Sequence, residues 1–194
     1  MAFLHKSMRK RTIIRNRMNT LKKPKASKPP KSIRRVRKKI GDVIEIPTSK
    51  GLTYVQYTHQ HTAPPVWGSL IRVLQGFYKK RLANEEIATL VNKPHRFQTF
   101  CPVYRVVNIG DWERIGNFPV PEFAQKFPIF KNTNSLPNDD PKEAVWSLWD
   151  GEKSWRVGKL SLEDQTKYPE KCGYNDTGLV HAIETGMSGK RRLC

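Results

Sequence analysis

The stretch Ile40-Gly41-Asp42-Val43-Ile44-Glu45-Ile46-Pro47, continuing through Thr48-Ser49-Lys50-Gly51 into Leu52-Thr53-Tyr54-Val55-Gln56-Tyr57-Thr58, sets the reading of the fold. Val43, Ile44 and Ile46 are β-branched, a Thr-Ser-Lys-Gly loop follows, and Leu52 to Thr58 is rich in Tyr, Val and Thr; two such runs around a short polar loop predict a β-hairpin. A folded domain is therefore expected to begin at residue 40.

What precedes it is of another kind. Residues 1–39 hold 16 Lys or Arg and no Asp or Glu, so the rest of the chain holds 20 basic and 17 acidic residues. Most of the +19 net charge belongs to this segment. Charge self-repulsion and the scarcity of aromatic residues predict a disordered basic tail over 1–39. Ile14, Met18 and Leu21 fall at helical spacing, so Arg9 to Lys22 forms a short basic amphipathic helix only against a partner. Three readings of the tail stay open: a phosphate-seeking arm for RNA or DNA, an acid-free organellar presequence, and a solvated extension, with Met8 and Met18 as internal starts. On the first reading the nucleic-acid-binding candidates are Arg9, Lys10, Arg11, Arg15, Arg17, Lys22, Lys23, Arg34, Arg35, Arg37, Lys38 and Lys39.

Downstream, the His59-Gln60-His61 stretch ends the second strand, and Trp67 to Leu74 predicts a third. Asn84 to Asn92 has a capping residue, acidic residues in its first turn and apolar residues at 87, 90 and 91, which predicts a helix ended by Pro94. Phe97 to Val107 reads as one long strand broken at Pro102, since proline cannot donate to a ladder. Through the Gly110-Asp111 turn, Trp112 to Asn117 is expected to pair back onto it. A short helix near Glu122 to Lys126 and an exposed loop from Asn132 to Pro141 fit the prolines that follow.

Val145 to Trp149 and Ser154 to Leu160, joined by Asp150-Gly151, carry the clearest hairpin signal in the chain. Ser161 is expected to cap a helix ending before Pro169, and Asp176 to Thr185 to form a terminal helix closed by Gly186. The fold class expected is α+β: a strongly bent antiparallel sheet or small barrel of several hairpins, with two or three short covering helices over residues 40–187, then a short basic tail at 188–194.

Catalysis leaves no trace in the sequence. Phosphate-binding glycine loops, nucleophile elbows and zinc-protease motifs are all missing. The His59–His61 pair shares a strand face but has no acidic or thiol neighbour in sequence to complete a metal site. Cys101 with His95 lacks an orienting third group, and Asp139-Asp140 reads as loop chemistry. Three cysteines without C-x-x-C spacing fit reduced thiols. No catalytic residue, metal or cofactor is assigned. No apolar run is long enough to span a bilayer or serve as a signal sequence, so no membrane partner and a cytoplasmic location are expected.

The five tryptophans mark the better candidates. Trp146 and Trp149, three apart, must point to opposite faces of one strand, and Trp149 and Trp155 flank the hairpin turn where they can meet. Trp67, Trp149 and Trp155 are the candidate protein-binding residues.

The Ile40 to Pro47 stretch, followed by Gly51 to Tyr57 and Gly68 to Val73, resembles the opening of the bacterial immunity protein 26 family. Trp112-Glu113-Arg114-Ile115-Gly116-Asn117-Phe118-Pro119-Val120 resembles that family's second landmark. The resemblance runs from about residue 40 to 155. It implies an intracellular, non-enzymatic α+β protein that binds and neutralises a protein toxin domain. The tail departs from it, since 1–39 would repel a basic nuclease. A nucleic-acid-associated protein working through its basic tail is the alternative.

Overall fold

In the computed structural model, residues 35–134, 140 and 142–186 are described, and all of them fall in one unit, Ile33–Cys194. The opening hairpin forms as expected. β1 (Asp42–Thr48) and β2 (Gly51–His61) pair antiparallel from Val43↔Gln56 to Thr48↔Gly51. Gly51 is required at the turn: its φ is +115°, and a Cβ there would lie 2.7 Å from the Tyr78 carbonyl oxygen.

β3 (Gly68–Val73) and β4 (Phe97–Phe100) extend the sheet on one side and β5 (Glu113–Asn117) on the other, giving the order β4-β3-β2-β1-β5. Of the two forms expected, bent sheet or barrel, the sheet stays open, with β4 and β5 at its margins. Register shifts at Tyr57/His59 and Val43/Ile44 bend it.

Both faces are covered, so β1 to β3 are buried along most of their length, polar residues such as Asp42, Gln56 and Arg72 included. On one face Ile44, Ile46, Val55, Tyr57, Ile71 and Val73 meet α2 (Val103–Ile109) and α4 (Asp176–Thr185), which contribute Val103, Val106, Val107, Leu179 and Ile183. On the other face Val43, Tyr54 and Leu74 meet Ile87, Leu90 and Val91 of α1 (Asn84–Val91). Each such aliphatic side chain contributes about 1.5–3 kcal/mol by leaving water.

Two expectations fail here. Residues 103–109 are a helix, not the second half of a long strand. Pro102 sits at its N-cap, and Gly110, at φ +88°, ends it. Val103, Tyr104, Val106 and Val107 fall on one helical face and are all buried, whereas a strand would have turned half of them outward. β5 consequently pairs with β1 instead of with β4.

A second sheet, β6-β7-β8, comprises Phe130–Thr133, Val145–Trp149 and Ser154–Lys159. The Asp150-Gly151 hairpin is confirmed, while β6 lies partly in what sequence suggested was loop. A 3-10 turn at Glu122–Ala124 stands near the expected short helix, and α3 (Leu162–Lys167) is capped by Ser161 Oγ, which accepts the Asp164 N–H at 3.0 Å. The segment from Pro169 to Tyr174 joins the two sheets. Lys131 of β6 donates its N–H to Pro169 O and accepts that of Lys171; Phe100 of β4 donates to Cys172 O and accepts from Tyr174. One strap thus pairs, in parallel, with the margins of both sheets.

Aromatic rings fill the space between them. Trp67, Phe100, Phe127, Phe130 and Trp149 form one cluster. His61 completes it: Nδ1 accepts the Trp67 N–H at 3.2 Å, so Nε2 carries the proton and donates to Gly151 O at 2.7 Å. His59 lies on the same face with its ring 5.5 Å from Phe127, and its Nε2 meets Gln125 O at 2.8 Å. Among the described residues no group of three His, Cys, Asp or Glu is placed to hold a metal ion.

Candidate partner-binding surface

The titratable groups of the interior are bound into the fold. Asp42, fully buried, accepts from Tyr104 Oη at 2.6 Å, Asn117 Nδ2 at 2.9 Å and the Lys39 N–H at 3.1 Å, and Arg114 Nε stands 2.8 Å away. The Ile40-Gly41-Asp42 start and the Trp112–Val120 stretch therefore meet in space: Phe118 donates its N–H to Gly41 O, and Gln56 Nε2 donates to Phe118 O, both at 2.9 Å. Glu45 is held by Tyr54 Oη and by Arg81, which also clamps Glu113 and keeps that carboxyl below its usual range. Arg72, buried with no salt bridge to a described carboxylate, donates to Gln56 Oε1 at 2.8 Å and to the Val91 carbonyl, and burial lowers its pKa to about 10.

The nucleophile–base candidate dissolves on inspection. Burial, reinforced by Asp176, pushes the Cys101 thiol up to about 12, while His95 stacks on Phe123 with centroids 6.3 Å apart. A thiol so strongly protonated is a poor nucleophile. Cys101 is a free thiol, but Cys172 is disulfide-bonded, so the expectation of reduced cysteines does not hold throughout. Asp140 Oδ1 accepts the Lys142 N–H, a loop role, and Asp139 lies outside the described residues.

The three candidate tryptophans separate. Trp149 is buried in the aromatic cluster and Trp67 is partly buried beside it, centroids 6.1 Å apart, with Lys171 Nζ 4.9 Å and 4.5 Å from the Trp67 and Trp149 centroids. Their rings join the sheets. Trp155 is 39% exposed on β8. The expected meeting of Trp149 and Trp155 does not occur, because Trp155 pairs with Leu148 and Trp149 with Ser154, which puts the two rings on opposite faces.

Around Trp155 the surface is apolar in a way the sequence did not single out. Val157, two residues on along β8 and so on the same face, is exposed at 36%, while Val145 of β7, exposed at 37%, falls on the opposite face with Trp149. Every residue of β8 except Gly158 is exposed. The strand is an outer one, and its register with β7 shifts at Trp146/Ser147, leaving Val157 as the extra residue of a bulge beside Gly158 at φ +79°. A bulge set between Arg156 and Lys159 discourages indiscriminate strand pairing. The signal was present in the alternation around Trp155, which puts Val157 on the same face.

Of the tail candidates, Arg9, Lys10, Arg11, Arg15, Arg17, Lys22, Lys23 and Arg34 lie outside the described residues. Arg35, Arg37, Lys38 and Lys39 are exposed. Between them Val36 is partly buried and donates its N–H to Asn108 Oδ1 at 2.9 Å, so the chain is already docked before Ile40.

No family model, curated protein or solved structure matches this chain. No described helix is long and apolar enough to cross a membrane.

Proposed function

We propose that the chain is a non-enzymatic binding protein of the immunity type, which neutralises a protein toxin domain by docking it on the β8 side of the small sheet. The observation that carries this reading is the half-exposed Trp155 on an outer strand, with the exposed Val157 beside it on the same strand face. A rigid aromatic with an apolar neighbour and a cationic rim is the composition of an interface anchor. The engagement of Asp42, Glu45, Arg72 and His61 in structural bonds supports it from the other side, as does the resemblance of the Ile40 and Trp112 stretches to the immunity protein 26 family.

The test is rescue of cells from a toxin encoded beside this gene. Trp155→Ala should weaken the complex by about 2 kcal/mol, the cost of losing an aromatic anchor, and reduce protection without changing the far-UV spectrum. Full protection by a Trp155→Glu/Val157→Glu variant would move the surface elsewhere. Failure of the native chain to protect would end the immunity reading.

A further inference from the structure

A second surface shares no residue with β8. Residues 35–39 lie as an arm against α2, anchored where Val36 N–H donates to Asn108 Oδ1 at 2.9 Å and Lys39 N–H to Asp42 Oδ2 at 3.1 Å. The arm and the helix enclose a groove of about 560 Å³, lined by Arg35, Arg37 and Lys38 from one wall and Arg105, Tyr104 and Asn108 from the other. Its four cations are exposed and stand together on one concavity, and none has a described carboxylate within 4.0 Å. Four uncompensated charges on one concavity are costly to keep together unless an anion shares it.

We propose that this groove binds the phosphodiester backbone of single-stranded nucleic acid. Three of the four cations are arginines, whose planar forks match phosphate oxygens. The hydrogen bonds that fix the arm hold them on two walls, so a strand lying between is contacted from both sides. The one aromatic ring in the lining, Tyr104, is buried and has Lys38 Nζ 5.7 Å from its centroid, which leaves no open face for a base. Binding there is therefore indifferent to sequence and steeply dependent on salt. Concavity favours a strand over a bilayer surface, which would meet only the rims.

Arg105 separates the groove from the rest of the basic charge, because it belongs to α2 and not to the N-terminal run. The experiment uses the full-length chain and a fluorescein-labelled oligouridylate of about 12 nucleotides, followed by anisotropy over a range of salt concentrations. Arg105→Gln should lower affinity about three- to tenfold at moderate salt and flatten the slope of log K against log salt by roughly 0.7. Arg37→Gln should do the same. Lys79→Gln, which removes one exposed charge outside the groove, should leave affinity within about twofold. Equal losses for Arg105→Gln and Lys79→Gln would overturn the proposal in favour of diffuse attraction, and no oligonucleotide binding by the native chain would overturn it outright. Arg105-dependent binding to phosphatidylserine vesicles without binding to the oligonucleotide would also reject it. Because Arg105 is exposed, an unchanged melting curve establishes that the variant is folded.

Discussion

Asp42 shows what a short motif can be for. The glycine before it has φ +91°, and a Cβ there would sit 2.4 Å from the Phe118 carbonyl oxygen, so only glycine lets the two chain segments close on each other. That closure brings Asp42 under Tyr104 and Asn117, and burial, with the carboxylate close by, pushes the Tyr104 phenol well above its ordinary range. The Ile-Gly-Asp sequence is thus a structural knot. Replacing Asp42 with alanine leaves the buried Tyr104 phenol without its acceptor and removes the partner of Arg114, which solvent can still reach, and urea titration should show a loss of about 1–3 kcal/mol, the cost of an unsatisfied buried polar group. A loss below about 1 kcal/mol would mean that solvent reaches the site and the knot is loose.

At the level of elements, the strap from Pro169 to Tyr174 decides how the sheets are held. Its four backbone hydrogen bonds cover margins of β4 and β6 that would otherwise be open, so β8 is left as the outer strand of the small sheet. Native-state hydrogen exchange should find the amides of Phe100, Lys131, Lys171 and Tyr174 protected together, as one cooperative unit, and those of the exposed β8 residues Trp155 to Val157 exchanging much faster. Independent exchange of the Lys131 and Phe100 sides would show that the strap does not couple the sheets. Very little of this was legible beforehand. The opening hairpin, α1, the Asp150-Gly151 hairpin and α4 could be read because each carries its own turn or cap residues. α2 could not, since Val103, Val106 and Val107 favour strands locally and only the covering role above the sheet selects a helix. β6 offered one apolar residue among Lys, Asn and Thr, and the strap makes isolated bridges that no periodicity announces. For the partner surface, sequence marked Trp155 but could not separate it from Trp149; the groove was half visible, as Arg35, Arg37 and Lys38, with Arg105 hidden in the misread strand.

For the molecule as a whole, the tyrosines report on integrity. Burial raises Tyr54 to about 12, aided by Glu45, and raises Tyr57, Tyr78 and Tyr104 as well. A phenol whose pKa is higher folded than unfolded contributes stability that is complete below about pH 10 and is lost as pH climbs through 12. Alkaline titration should therefore show phenolate absorbance rising in step with loss of the far-UV signal, and Tyr54→Phe should shift that transition to higher pH. Phenolate appearing while the fold persists would place these rings in contact with water. The strap has a last consequence, in time. It is encoded after every described strand, so on a translating ribosome both sheets emerge with an uncovered margin, and those margins close only when residues 169–174 have been synthesised. A chain ending before Pro169 would hold every described strand but would join its two sheets only through the aromatic cluster and the His61–Gly151 bond.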